Sequence, residues 1–220
     1  MKRVICVGAH PLDADLMGGP LLMKYAAKGA HCTMMHLVKG RLEGNVDSET
    51  QNAYQENLKN EMIQAAKTIG CDCNMLEYTS AELPSVDVFA NTLVEYFEKE
   101  NVELVITHWR GTMHARHYYA YETVTKAVKT LRKRGKNIKL LYGENCEDLI
   151  SFIPQANYHM TKEELDQWFK ALNCYTIFSG NVNEVPYNSY YRTTGVIRGI
   201  ENGDYEYYKS YMYPCLIETI

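Results

Sequence analysis

Short apolar runs alternate with helical patterns along the first 142 residues. Between the runs, apolar side chains recur at helical spacing and the segments end near glycine or polar residues. Strands that alternate with helices predict a parallel sheet joined by right-handed crossovers. We therefore predict an α/β fold, a Rossmann-like and mostly parallel sheet with helices on both faces. The predicted strands are 3–8, 31–38, 71–78, 102–107 and 138–142, and the predicted helices are 16–28, 52–68, about 85–101 and about 117–134.

Residues 143–220 are less regular than the preceding part. They contain one clear helix, predicted over 162–172, where Thr161 is the expected N-cap and Glu164 completes a capping box. No repeat or Pro/Ser-rich linker divides the chain, and 220 residues suffice for one continuous core. We predict a single domain over 1–220, with a Rossmann-like core at 1–142 and a C-terminal extension at 143–220.

Charge and composition exclude several classes of partner. Lys and Arg number 23 against 27 Asp and Glu, a net charge of −4, so the overall field favours neither nucleic acid nor an anionic membrane. No apolar run reaches the ~18 residues of a membrane helix, and the first residues lack the apolar stretch of a signal peptide. The seven scattered cysteines suit reduced thiols. We expect a cytoplasmic protein that binds a small molecule and is compatible with a homo-oligomer.

The predicted sheet brings two polar segments together. With a strand order of 3-2-1-4-5, the first and fourth strands are neighbours, and a crevice opens at their carboxyl ends. The first strand leads into AHPLDAD at 9–15, and the fourth leads into HWRGTMHARH at 108–117. We therefore expect these segments on opposite sides of one crevice. Gly18 and Gly19 fall within the first helix rather than in a phosphate-binding loop, which argues against a dinucleotide.

Four histidines are concentrated in these two segments. A lone buried imidazole is costly, whereas several imidazoles beside carboxylates are well explained by a shared ion. His10 and Asp13 are three residues apart, as are His114 and His117, so each pair can face one point. A His-Asp-His set drawn from these pairs leaves one coordination position open, as in catalytic zinc sites, although iron and manganese also suit such ligands. We interpret the other histidines, His31, His36 and His159, as core residues.

Several segments together resemble the PIG-L (LmbE-like) deacetylase family: AHPLDAD, GGPLLMKYAAKG, NEMIQAAKTIG, THWRGTMHARH and YGENCEDLISF. Members are zinc-dependent hydrolases that remove acetyl groups from N-acetylglucosamine-type amides. The resemblance implies that His10, Asp13 and His117 bind the metal, zinc or another divalent transition metal. It also implies that His114 stabilises the oxyanion or protonates the leaving amine, and that the substrate is a small N-acylated molecule such as a sugar.

The chain departs from the family pattern at two positions. The first motif is normally Ala-His-Pro-Asp-Asp-x-Glu, and its first Asp, the general base, is replaced here by Leu12. The second motif normally ends His-x-Asp-His, and its Asp is replaced by Arg116. The alternative function is therefore a catalytically impaired, metal-binding pseudoenzyme or ligand-binding protein. Candidates for a substitute base are Asp15, Glu43 and Glu144.

Two arginines flank the expected mouth of the site. Arg110 and Arg116 could hold an anionic or polar substrate, and solvated arginines are the equally simple interpretation. Eight of the 18 tyrosines lie in the C-terminal part, from Tyr187 to Tyr213. Their ring faces would suit a sugar or a protein interface, but we interpret this segment as a packed tail.

Overall fold

The computed structural model describes residues 1–180 and 182–214. Its strands are β1 (Arg3–Gly8), β2 (His31–Val38), β3 (Asp72–Tyr78), β4 (Leu104–Thr107), β5 (Lys139–Gly143), β6 (Ala156–Met160) and β7 (Tyr207–Met212). Its helices are α1 (Asp13–Ala27), α2 (Ser48–Ile69), α3 (Val86–Lys99), α4 (Ala115–Lys133), α5 (Lys162–Leu172) and α6 (Tyr187–Asn202), with a short 3-10 helix at Thr176–Ser179.

These strands form one seven-stranded sheet in the order β3-β2-β1-β4-β5-β7-β6. The first five strands are parallel, so the predicted α/β class and the predicted order of those strands are confirmed. β7 pairs antiparallel with both β5 and β6. The sequence analysis missed β6 and β7, whose polar and tyrosine-rich residues resemble a loop. Residues beyond 142 therefore extend the same sheet.

Helices cover both faces of the sheet, as predicted. Along β1, Val4 and Cys6 point to one apolar cluster, and Ile5 and Val7 point to the other, because successive strand residues face opposite sides. The first cluster contains residues of α1, α2, α5 and α6, and the second contains residues of α3 and α4. The tyrosine-rich tail is largely packed, since Tyr187, Tyr191, Tyr207 and Tyr211 are buried in the first cluster.

Helix ends follow local capping chemistry. Ser85 and the predicted cap Thr161 both accept a hydrogen bond from the first turn of their helices, and Glu164 completes the predicted capping box. α2 begins at Ser48, four residues before its predicted start, because the Asp47 carboxylate accepts the Thr50 N–H at 2.8 Å. The polar residues of that first turn carry no apolar periodicity, so the pattern did not reveal them.

Among the residues that the structure describes there is neither a disulfide bond nor a helix able to span a bilayer. The six cysteines within the described residues are free, and the seventh, Cys215, lies outside them. No described helix combines the length and apolar character needed to span a bilayer.

The C-terminal part is anchored to the start of α1. The Trp168 indole N–H donates to the Asp15 carbonyl at 3.0 Å, and the Tyr175 hydroxyl donates to the Asp15 carboxylate at 2.9 Å. Asp15 is fully buried, and one of its carboxylate oxygens has no partner. Burial raises the pKa of Asp15 to about 7. Since Asp15 is two residues from Asp13, these contacts fix the helix turn that carries the predicted metal ligand.

Asp15→Asn should change how stability depends on pH. A carboxyl group whose pKa is about 7 in the folded protein and 3.8 when unfolded binds more protons folded than unfolded between these values. Wild-type stability therefore falls as pH rises from about 4 to 7, and Asn lacks this loss. Urea titrations at pH 4.5 and 7.5, with a chelator present, should show the stability difference move by about 2–4 kcal/mol in favour of Asn. A difference independent of pH would contradict this assignment.

Candidate metal centre

The two predicted polar segments meet at the carboxyl ends of β1 and β4. β1 ends at Gly8, where an added Cβ would lie 2.6 Å from the Ala14 backbone nitrogen, so only glycine permits this tight entry into α1. Leu12, the N-cap of α1, has a φ of 81° and is 2% exposed. A left-handed backbone is unusual for a branched apolar residue and more common for Asn or Asp.

Three ligand atoms from these segments form a compact triangle. His10 Nδ1 lies 3.1 Å from Asp13 Oδ2, Asp13 Oδ2 lies 3.4 Å from His117 Nε2, and His117 Nε2 lies 3.3 Å from His10 Nδ1. Ligands at about 2.0–2.1 Å around a tetrahedral zinc ion are separated by about 3.3 Å. The three atoms therefore match the spacing of one metal ion, and their chemistry also suits iron or manganese.

The electrostatics of the triangle favour a cation. Burial alone would raise the pKa of Asp13, but His117 and His108 hold it well below its usual value. Burial alone would lower the pKa of His117, but Asp13 and Asp148 raise it to about 10. Without a metal, a proton on His117 would supply the positive charge that these carboxylates favour. Metal binding must displace that proton, so apparent affinity should increase with pH.

His114 lies against the triangle. Its ring centroid is 4.4 Å from that of His117 and 4.6 Å from that of His10, and its buried Nδ1 has no hydrogen-bond partner. Burial and the neighbouring histidines lower its pKa to about 4. His10, His114 and His117 also offer nitrogen atoms within 4.8 Å of one another. The structure thus brings His10, Asp13, His114 and His117 together.

His108 has a different role from the other three clustered histidines. Its Nε2 accepts the Ala9 N–H at 3.0 Å, and its Nδ1 lies 2.6 Å from Asp148 Oδ2. A backbone N–H can only donate, so the Nε2 lone pair is occupied although Asp13 Oδ2 is 3.4 Å away. His108 stands outside the predicted His-Asp-His set, and its two hydrogen bonds connect the β1 loop to the loop after β5. Its Nε2 also belongs with Asp13 and His117 to a second group of atoms close enough together to hold an ion.

Asp148 orients two histidines at once. Its Oδ1 accepts a hydrogen bond from His117 Nδ1 at 2.8 Å, and its Oδ2 accepts one from His108 Nδ1. Burial alone would raise the pKa of Asp148, but the two histidines lower it. A carboxylate on Nδ1 directs the Nε2 lone pair of His117 toward the triangle, the usual second partner of a metal-binding histidine. The sequence analysis missed Asp148, although its loop follows β5, the neighbour of β4.

The same loop contributes two further side chains. Asn145 donates from Nδ2 to Asp13 Oδ1 at 3.3 Å, and Glu147 Oε2 lies 4.0 Å from His117 Nε2. Neither residue was selected from the sequence. Loop residues after β5 carry no spacing signal that relates them to the other two motifs. The available indications were the order of strands and the family-like segment YGENCEDLISF, which contains both residues.

A cavity of about 740 Å³ opens beside the triangle. Arg116 lines it, and its Nε donates to Ser80 Oγ at 2.5 Å. The residues of its wall that bear charge or belong to the two motifs are His10, Pro11, Leu12, Asp13, Lys39, Arg41, Glu43, His114, Arg116 and Glu147.

Three sequence candidates lie away from this cavity. Arg110 lies over the Trp109 ring, with its guanidinium carbon 5.1 Å from the ring centroid. Asp15 is buried against Tyr175, and Glu144 is buried in an ion pair with Arg198. Burial against these partners, which spacing does not show, keeps both carboxylates from the cavity that a substitute base would have to reach.

Of the three histidines interpreted as core residues, only His36 is buried. Its Nδ1 donates a hydrogen bond to the His10 carbonyl at 3.2 Å and so helps to hold the backbone of the first motif. Its Nε2 has no hydrogen-bond partner among the described residues. His31 and His159 are exposed, beside Asp72 and Glu206. The core interpretation was wrong for these two. His31 is the first residue of β2 and His159 lies on the edge strand β6, and both side chains face solvent.

Asp148→Asn should weaken metal binding. The amide keeps one acceptor oxygen, so one of the two histidines loses its partner and the orientation of His117 is no longer fixed. We expect affinity for zinc to fall about 10–100-fold, measured by competition with a chromogenic chelator. Asp166→Asn, at an exposed carboxylate paired with Lys162, is the matched control and should bind normally. Equal affinities for all three proteins would refute this role.

Comparisons with known proteins concern the family and the fold of the chain. The family model described as PIG-L, GlcNAc-PI de-N-acetylase, matches residues 5–128. No curated protein matches the chain significantly. Similar solved structures include GalB, the 4-carboxy-2-hydroxymuconate hydratase of Pseudomonas putida, at 17% identity, a TM-score of 0.77 and full coverage of both chains. Another is N,N'-diacetylchitobiose deacetylase of Pyrococcus horikoshii, at 16% identity and a TM-score of 0.72, covering 97% of this chain and 84% of the other.

A third similar structure is the zinc-inhibited form of teicoplanin deacetylase Orf2, at 14% identity and a TM-score of 0.71, with 97% of each chain covered. At these identities the structures establish a shared fold. The family model, by contrast, covers more than half of the sequence and includes both motifs of the triangle. The chain is therefore a member of the PIG-L family.

Proposed function

We propose that this protein is a metal-dependent hydrolase that removes an acyl group from a small N-acylated substrate such as an N-acetylated sugar. The observation that carries the proposal is the triangle of His10 Nδ1, Asp13 Oδ2 and His117 Nε2, with sides of 3.1–3.4 Å, beside a cavity of about 740 Å³. These residues would hold zinc or another divalent transition metal. When bound, the metal supplies Lewis-acid polarisation of the acyl carbonyl and activates water.

His114 is the proposed catalytic histidine. It lines the cavity beside His10 and His117, and its buried Nδ1 has no hydrogen-bond partner among the described residues. From this position a neutral imidazole N–H can donate a hydrogen bond to the carbonyl oxygen as negative charge develops on it.

Arg116 is the proposed substrate-binding arginine. Ser80 engages its Nε, which leaves the two terminal nitrogens of the guanidinium for an anionic or polar group in the cavity. Arg110 was proposed for the same role, but its position over Trp109 makes it the weaker candidate.

A second candidate function is the addition of water to a carbon–carbon double bond of a carboxylated substrate. Two observations favour it: Leu12 occupies the position of the family's general base, and a structure with a TM-score of 0.77 is a hydratase of such a substrate. Leu12 also favours the pseudoenzyme alternative, a protein that binds metal and ligand without turnover. Product analysis separates the three functions. Hydrolysis releases an amine, hydration forms a hydrated acid without an amine, and a pseudoenzyme forms no product.

Metal content and amine release together test the proposed hydrolase. The purified protein should hold about one metal ion per chain and release amine from at least one N-acetylated sugar, and chelation should abolish this activity. His10→Ala should lose the metal. His114→Ala should retain it and lose about 10²–10³-fold in kcat, the usual loss for one oxyanion donor. Stoichiometric metal without amine release from any amide would exclude the hydrolase and leave the two alternatives.

Arg116→Ala should raise KM for substrates that carry an acidic group and leave KM for neutral substrates nearly unchanged. A lost charge-assisted hydrogen bond predicts a change of about tenfold. Arg110→Ala is the matched comparison, since it removes the same group outside the cavity, and it should leave KM unchanged. Equal effects of the two substitutions would show that Arg116 acts only through overall charge.

A further inference from the structure

Leu12 leaves a chemical gap in the site. Its isobutyl group lines the cavity where the family motif carries a carboxylate, and it cannot accept a proton. Any reaction that uses water as a nucleophile must transfer a proton from that water to an acceptor. The inference below rests on the proposed function and asks which residue of this chain accepts the proton.

Three carboxylates line the cavity within the described residues: Asp13, Glu43 and Glu147. Both oxygens of Asp13 are engaged, Oδ2 in the triangle and Oδ1 with Asn145. Glu43 lies on the exposed loop between β2 and α2, and no ion pair or hydrogen bond described for it reaches the triangle. Glu147 alone of the latter two approaches a ligand atom, with Oε2 at 4.0 Å from His117 Nε2.

The backbone of Glu147 is fixed on both sides while its side chain remains accessible. Its N–H donates to Asn145 Oδ1 at 3.1 Å, and Asn145 in turn donates to Asp13. The next residue, Asp148, is held by His108 and His117. The Glu147 side chain is 36% exposed, and its one ion-pair contact among residues 1–180 and 182–214 is with His117. This backbone anchoring places a solvent-accessible carboxylate beside the triangle.

We propose that Glu147 is a catalytic residue, the proton acceptor that replaces the carboxylate absent at position 12. As the oxygen of water bonds to the acyl carbon, one O–H bond breaks and its proton moves to Glu147 Oε2. When the C–N bond then breaks, that proton passes to the leaving nitrogen. The products are a carboxylic acid and an amine, and the Glu147 carboxylate is regenerated without oxidant or reductant.

The test compares Glu147→Gln with wild-type protein in three measurements. Metal content should be unchanged. Affinity for acetohydroxamate, whose acidic hydroxyl can donate to a nearby carboxylate, should fall about tenfold because a charge-assisted hydrogen bond becomes neutral. Amine release from the best N-acetylated sugar should fall about 10²–10⁴-fold in kcat with little change in KM. Glu95→Gln, the same change on the exposed side of α3, should match wild type.

Two further variants distinguish a proton acceptor from a structural residue. Glu147→Asp keeps the carboxylate and should retain part of the activity. Leu12→Asp introduced into Glu147→Gln should restore part of the activity by returning a carboxylate to the position of the family base. Loss of metal from Glu147→Gln would overturn the proposal, because Glu147 would then be a metal ligand or a structural residue. Loss of activity in Glu43→Gln, with Glu147→Gln still active, would overturn it as well.

The outcomes also separate this proposal from the proposed function. If wild-type protein binds metal and acetohydroxamate but releases no amine, hydrolysis fails as the function, and the acetohydroxamate comparison still decides the role of Glu147. If the probe binds wild type and Glu147→Gln equally, Glu147 is not the acceptor even where hydrolysis occurs. Wild-type protein that binds neither metal nor probe overturns both proposals.

Discussion

Parallel pairing of β1 with β4 is the constraint on which the site depends. The two strands are adjacent from Val4 with Leu104 to Val7 with Thr107, and the Thr107 hydroxyl donates to the Val7 carbonyl at 2.9 Å. The segments that follow β1 and β4 therefore leave the sheet side by side, at the carboxyl ends of the strands. A residue two positions after β1 and a residue in the first turn of α4 can then place nitrogen atoms 3.3 Å apart although 107 positions separate them.

Hydrogen bonds between loops make this arrangement specific. Ala9 donates to His108, and His108 and His117 share the carboxylate of Asp148, so the loops after β1, β4 and β5 are joined through one buried set of polar groups. Removing one member would leave another buried polar group without a partner, which costs more than the bond itself contributes.

Residues of the cavity wall distinguish this site from the family pattern. The resemblance to the family motifs leads us to expect acids at positions 12 and 116, where this chain has Leu12 and Arg116. The loop after β5 brings two acids, Glu147 and Asp148, close to His117. Asp148 contacts His117 directly, so orientation by a carboxylate persists despite Arg116. The proposed functions all place the substrate in the cavity that Glu147, His114 and Arg116 line.

The sequence by itself determined the α/β class, the order of the first five strands and the set of His10, Asp13, His114 and His117. Apolar periodicity and capping are local, and residues at strand ends inherit their position from the strand order. The sequence could not show β6 and β7, whose pairing depends on distant strands, or the burial of Asp15 against Tyr175. Only the tertiary structure decided that His108 accepts a backbone N–H, that Arg110 lies outside the cavity and that Asp148 and Glu147 reach His117. These contacts join residues far apart in the chain, and which atoms meet within 3 or 4 Å depends on how the loops and side chains pack.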